Sequence, residues 1–176
     1  MREVRSILET ARLSLREFLP EDQNDLGRVL TDAETMRFYP APLDQEGVAN
    51  WIERNRRRYS TDGFGLWAMI LKSSGEMIGD CGLIRQVVEE VEQVEVGYHV
   101  RRDLWGNGLA TEAASACRDY GFMQVKADRL ISIIRPENWP SRRVAEKNGM
   151  TPWKEISWRG FPHVVYAVTR KREGAG

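Results

Sequence analysis

Residues 94–113 run from a β-branched stretch, Val94 to Val100, to an alanine-rich one beginning at Leu109, through a short turn that carries Gly106 and Gly108. Glycine tolerates positive φ and lets a backbone be approached closely, so this spacing predicts a tight strand-to-helix turn. The helix that follows presents its first unpaired N–H groups and the positive end of its dipole above the turn. That is an anion site, and a pyrophosphate is its natural guest. A Walker loop would end in Gly-Lys-Ser/Thr, whereas Gly108 is followed by Leu109 and Ala110. A dinucleotide fingerprint would need Gly or Ala where Thr111 stands.

The segment Trp105-Gly-Asn-Gly108-Leu-Ala110 resembles the acetyl-CoA loop of the GCN5-related N-acetyltransferase (GNAT) superfamily, Gln/Arg-x-x-Gly-x-Gly/Ala, with Trp105 in place of Gln or Arg. The continuation Thr111-Glu-Ala113 is similar to the branch of the RimJ and RimL ribosomal-protein acetyltransferases. A second stretch, Asn138-Trp-Pro-Ser141-Arg-Arg-Val144-Ala-Glu-Lys147-Asn-Gly149-Met150, is similar to the superfamily's Asn-x-x-Ser/Ala-x-x-Val/Leu-x-x-Lys-x-Gly-Phe. The resemblance runs from about Thr10 to Arg172.

A chain of 176 residues with 41% hydrophobic content suits one globular domain over 1–176, with a core at about 10–172 and a short tail, Glu173 to Gly176, expected to be disordered. Lys plus Arg and Asp plus Glu are 26 each, so charge gives no argument for nucleic acid or an acidic membrane. No run approaches the roughly 18 to 20 apolar residues of a membrane span. Cys81 and Cys117 lack metal-ligand spacing and are too few for a secreted disulfide framework. A reduced, buried pair in a cytoplasmic protein is the expectation, with no metal.

Leu13 and Leu15 alternate with polar residues as in a half-buried strand. Pro20-Glu-Asp opens a helix faced by Leu26, Val29 and Leu30; Val48, Trp51, Ile52, Asn55 and Tyr59 mark a second. The other side of that second helix carries Arg54, Arg56, Arg57 and Arg58, read as a solvated face. Phe64 to Lys72 and Met77 to Val87 form a hairpin, in which Gly79 and Gly82 suggest a bulge or a close neighbour. Further strands are expected at 94–100, 129–135, 151–156 and 164–170, with a helix at 109–121 and a short one ending at Gly149. Most of the six tryptophans are expected in the core or at its rim. The fold is α/β (α+β), a mixed twisted sheet of about seven strands with about four helices. By resemblance, the sheet splays between its fourth and fifth strands, here 94–100 and 129–135.

The resemblance implies that the main chain of Tyr98, His99 and Val100 pairs with the pantetheine amides. The turn from Trp105 through Gly106, Asn107, Gly108, Leu109, Ala110 and Thr111 would hold the pyrophosphate. Asn138 would touch the cofactor arm, or cap the following helix, or both. Arg142 or Arg143 is a candidate for the 3′-phosphate. Many members use a tyrosine seven residues after the Asn as the acid; here that position is Ala145. Ser141 is the nearest hydroxyl, able to orient the departing sulfur.

Amide formation needs a neutral amine, a place for an oxyanion and a proton for the thiolate. Glu95 lines the expected gap, with Gly97 and His99 on the same side by period two, and is the candidate base. His99 and His163 are alternatives, although a half-buried histidine bonded to backbone is the commoner arrangement. Trp158 to Phe161 is a candidate wall for the acceptor. Neither cysteine has a matched histidine, which disfavours a covalent intermediate.

The resulting expectation is an N-acetyltransferase that moves an acetyl group from acetyl-CoA to a primary amine by direct attack. By branch resemblance the first acceptor is a protein N-terminal α-amine, and a small amine such as a polyamine, amino sugar or amino acid derivative is the alternative. A non-catalytic acyl-CoA sensor is the reading of another class, kept open by the missing tyrosine. Nucleic acid and membrane are not expected partners, and the chain is expected to be a monomer or homodimer.

Overall fold

The computed structural model describes residues 4–171; the tail from Glu173 lies outside them. Eight strands form one sheet: β1 (Ser6–Glu9), β2 (Leu13–Arg16), β3 (Leu66–Leu71), β4 (Met77–Val88), β5 (Val91–Val100), β6 (Arg129–Ile134), β7 (Thr151–Trp158) and β8 (Phe161–Thr169). Four helices accompany them: α1 (Gln23–Leu30), α2 (Gln45–Thr61), α3 (Leu109–Met123) and α4 (Trp139–Lys147). The sheet order is β1-β2-β3-β4-β5-β6-β8-β7. Every pairing is antiparallel except that of β5 with β6.

The sheet has one strand more than the sequence pattern indicates. β1 is a four-residue edge strand with no fully buried residue, so it lacks the alternation that reveals β2. The splayed pair is therefore the fifth and sixth strand, made of the expected residues. Pro20 does not start an α-helix directly; a 3-10 turn, Pro20–Asp22, precedes α1, and Arg16 grips Asp22 through both guanidinium nitrogens at 2.7 and 2.8 Å.

Two apolar layers cover the two faces. On one, Leu13, Leu15, Trp67, Met69, Leu83 and Val96 pack against Ala113, Ala114 and Cys117 of α3. On the other, Leu66, Ala68, Met77 and Ile84 meet Leu26, Val29 and Leu30 of α1 and Val48 and Ile52 of α2. Each large side chain so buried contributes about 1.5–3 kcal/mol. Small residues set the spacing: a Cβ at Gly121 would lie 2.9 Å from Leu130 Cδ1, so glycine brings α3 down onto β6. Both readings of the β4 glycines hold. The register of β3 on β4 shifts beside Gly79, and added Cβ atoms at Gly79 and Gly82 would meet His99 O at 2.0 Å and Gly65 O at 2.1 Å. Only Trp67 among the tryptophans is a core residue; Trp105, Trp139 and Trp153 are exposed, the last stacked with Arg129 and Lys154.

Candidate active site

Registered pairing between β5 and β6 is confined to Glu95 with Ile131. Just beyond it, the buried Ser132 hydroxyl donates to Val96 O at 2.8 Å. Arg101 donates its N–H to Ile78 O at 2.7 Å, which fixes the phase of the strand. Residues in step with Arg101, His99 and Gly97, direct their amides to β4, while Tyr98 and Val100 direct theirs into the gap. This corrects the expectation for His99, whose main chain is turned away from the gap.

The turn at the end of β5 has the anticipated form. Gly106 and Gly108 adopt φ of +77° and +76°, and Gly108 is the N-cap of α3 with no side-chain cap. The leading N–H groups of α3 are thus left to a ligand. Trp105, standing where Gln or Arg is usual, donates Nε1–H to Val100 O at 2.7 Å and ties the turn to the strand. Asn107 closes it with Nδ2 on Leu104 O at 2.9 Å. From the β1–β2 turn, Arg12 donates to Asn107 O at 2.8 Å and to Glu112 at 2.7 Å, and Thr10 also donates to Glu112 at 2.7 Å. Burial pushes the Glu112 carboxyl up, but these donors hold it below the ordinary value. Leu109 is buried beneath the turn, and Ala110 and Thr111 are half-buried. A Cβ at Gly106 would meet nothing within 4 Å, so the turn is open above.

On the α3/α4 side of the gap, Asn138 caps α4, its Oδ1 accepting from Ser141 N at 3.3 Å. Ser141 Oγ donates to the Tyr98 hydroxyl at 3.1 Å, and Tyr98 donates to Ser141 O at 2.8 Å. Burial pushes the Tyr98 phenol well up, so it stays protonated. The phenol absent at Ala145 thus has a counterpart that arrives from β5. The sequence reading assigned Tyr98 only a main-chain role, because the 43-residue separation hides this contact. Arg142 donates Nε–H to Tyr166 OH at 2.9 Å and Nη1–H to Pro136 O at 2.8 Å.

The α1/α2 side carries the charged groups. Glu95 accepts from Gln86 Nε2 at 2.8 Å, and burial pushes its carboxyl above the usual range against the pull of Gln86, the Ile133 backbone and the Arg159 charge. On the same side of the sheet, four residues further along β5 at the level of His99, Asp80, with no exposed surface, accepts from Trp51 Nε1 at 2.9 Å and pairs with His99 Nδ1 at 2.8 Å. His99 Nε2 meets the Tyr39 hydroxyl at 2.6 Å. Tyr39 stands at the rim, and desolvation of its hydroxyl, then the Glu95 and Asp80 charges, push its phenol up. His99 is therefore bonded to side chains, not backbone. Asp80, Tyr39 and Trp51 were missed, although a lone carboxylate in the apolar run from Met77 to Ile84 was a signal to follow. His163 instead pairs with Phe161 O at 2.9 Å, and burial lowers its imidazole. Cys81 and Cys117 are buried and free, their sulfurs 3.6 Å apart.

A gap in a mixed sheet, an uncapped helix start beyond it, hydroxyls on one face and a buried carboxylate on the other together suit group transfer from a long phosphorylated carrier. Known proteins agree. The family model described as acetyltransferase (GNAT) domain matches residues 12–151. YkkB of Bacillus subtilis (strain 168) is 38% identical over 90% of this chain and 93% of its own length. N-acetyltransferase p20 of Bacillus licheniformis is 32% identical over 96% of this chain and 98% of its own. The solved RimL ribosomal L7/L12 α-N-protein acetyltransferase, in complex with coenzyme A, superposes with a TM-score of 0.74 at 16% identity, covering 94% of this chain and 98% of RimL. With its sheet, its glycine turn and its relatives in accord, the chain belongs to the GNAT family of acetyltransferases.

Proposed function

We propose that the protein transfers an acetyl group from acetyl-CoA to a primary amine by direct attack across the β5–β6 gap. The observation that carries this is the opposition of Glu95 on one face of the gap to the Ser141–Tyr98 hydroxyl pair on the other. Acetyl-CoA fits the residues present: the uncapped start of α3 and the left-handed Gly106 and Gly108 suit its pyrophosphate, and Tyr98 and Val100 turn amide groups toward where its amide arm would lie. When bound it supplies an activated thioester.

Glu95 takes a proton from the arriving ammonium, and its raised carboxyl brings it nearer to neutral pH, where a general base is most effective. The Asp80–His99–Tyr39 chain fixes the His99 ring and holds the Tyr39 hydroxyl at the rim of the acceptor side. Ser141, turning its hydroxyl from Tyr98 to the sulfur, orients the departing thiolate, which takes its proton from water; Asn138 keeps the start of α4 in place for it. The acceptor we favour first is the α-amine of a polypeptide, supported by the likeness to RimL in fold. A small amine is the second reading, favoured by the Tyr39 and Trp51 rings beside His99, 5.4 and 5.5 Å from it between centroids. The two buried free cysteines support a reducing, cytoplasmic setting. Among the described residues no helix is long and apolar enough to cross a membrane.

The test is thiol release from acetyl-CoA with a panel of peptides and small amines. Release with at least one amine, lowered by Glu95→Gln and Ser141→Ala at unchanged acetyl-CoA affinity, supports the assignment. Full turnover in both variants contradicts the roles given to these residues, and no release with any amine contradicts the activity.

A further inference from the structure

The arginines of α2, one run in the sequence, fall into two groups in space. Arg56 and Arg57 lie 3.9 and 3.8 Å from the Glu53 carboxylate. Arg54, Arg58 and, from the β7–β8 turn, Arg159 have no carboxylate partner at salt-bridge distance among the described residues. These three border the acceptor side. The Arg54 guanidinium lies 5.6 Å from the Trp51 ring, which meets His99 edge-on at 5.5 Å. Arg58 is half-buried and donates to Asn55 Oδ1 at 3.1 Å. Asn55 cannot yield, since it is 1% exposed, donates to Trp51 O at 3.0 Å and accepts from Leu66 N at 3.0 Å. Arg159 occupies a left-handed turn position, φ 50°, and its charge reaches Glu95.

Free arginines on a surface swing apart into water, at no cost that needs relief. Arg58 is pinned, and burial, then the like charge of Arg54, pull its guanidinium below the ordinary value against the opposing pull of the Asp62 and Glu95 carboxylates, with Arg159 adding a smaller like charge. The two carboxylates offset this only in part, and an anion held directly by the guanidinium groups would relieve the rest. The planar guanidinium fork suits a carboxylate above other partners.

We propose that the acceptor carries a carboxylate close to its amine, and that Arg54, Arg58 and Arg159 receive the carboxylate while the amine faces Glu95. This rests on the acetyl-transfer reading above. A free amino acid, or a peptide with an acidic residue next to its α-amine, supplies the same chemistry.

The experiment measures thiol release from acetyl-CoA with matched amines: phenylalanine against phenethylamine, and a peptide with Asp in second place against the same peptide with Asn. The ratio of kcat/KM, anionic over uncharged, is expected to be about tenfold or more in at least one pair, which names the source. It should fall toward one in Arg54→Gln, Arg58→Gln and Arg159→Gln, decline with added salt, and hold in Arg56→Gln and Arg57→Gln. The acetyl-CoA thermal shift of each variant shows that it is folded. Equal use of both members of each pair, or a ratio the three substitutions leave unmoved, overturns the proposal while acetyl transfer stands. Absence of thiol release with every amine overturns both.

Discussion

His99 Nδ1 lies 2.8 Å from Asp80 Oδ1 on the adjacent strand, in a pair buried on the side of the sheet where Glu95 also stands. Asp80 takes Trp51 Nε1–H on its other oxygen, so both oxygens are committed. An acceptor at Nδ1 places the imidazole proton there and leaves Nε2 to accept from Tyr39.

Asp80→Asn should therefore keep the fold and disturb the positioning of His99 and Tyr39. The amide oxygen can still accept from Trp51, but the amide nitrogen would donate to Nδ1 and reverse the tautomer. We expect kcat to fall by roughly tenfold or more, with acetyl-CoA affinity unchanged. Steady-state kinetics with a parallel titration of the cofactor checks it; an unaltered kcat would remove the network from the reaction.

Glu95→Gln separates activity from stability. A carboxyl whose folded value is raised favours the fold below the unfolded value, and that favour is lost as pH climbs through the folded value. The glutamine variant should thus melt higher than the parent at neutral pH, with the gap closing as the medium is acidified. Its kcat should drop by about 10²–10⁴. Melting curves across pH together with turnover decide it, and a variant that melts lower at neutral pH would show that the buried charge is well paid by its partners.

Glu112 behaves in the opposite sense. Its folded value is lowered, so its contribution is present above the unfolded value and lost as pH falls through the folded one. Glu112→Ala should cost about 1–3 kcal/mol by leaving Thr10 and Arg12 without their acceptor. It should also weaken acetyl-CoA binding, because Arg12 then loses its hold on the pyrophosphate turn. Calorimetry of unfolding and of binding gives both numbers.

At Gly82 an alanine has no room, since its Cβ would press on the Gly65 carbonyl and the Leu66 backbone at 2.1 and 2.7 Å. Gly82→Ala should cost about 3 kcal/mol, read from urea unfolding. Gly75→Ala, in an open turn with φ of +74°, should cost only the left-handed strain, about 1–2 kcal/mol.

Much of this was legible before any coordinates. Leu13 with Leu15, and Leu26 with Val29 and Leu30, sit on strict periods that burial enforces, and all five are fully buried. The tight turn at Gly106 and Gly108 was legible because its glycines answer to local backbone geometry. β1 was not, because an edge strand has little to bury. The Asp80–His99–Tyr39 chain was not either: its members lie 19 and 60 residues apart, brought together only by the β4–β5 register and the approach of the segment between α1 and α2. The same holds for the division of the α2 arginines, which depends on where Glu53 and Trp51 point.

The most direct measurement is the thermal midpoint with and without acetyl-CoA, with ATP and NAD as controls. At 100 times its dissociation constant a ligand adds about 2.7 kcal/mol, roughly 5–10 °C for a chain of this size. A rise of that order with acetyl-CoA alone is the predicted result. No rise, or an equal rise with ATP, would contradict the assignment of the Trp105 to Thr111 turn as an acetyl-CoA site.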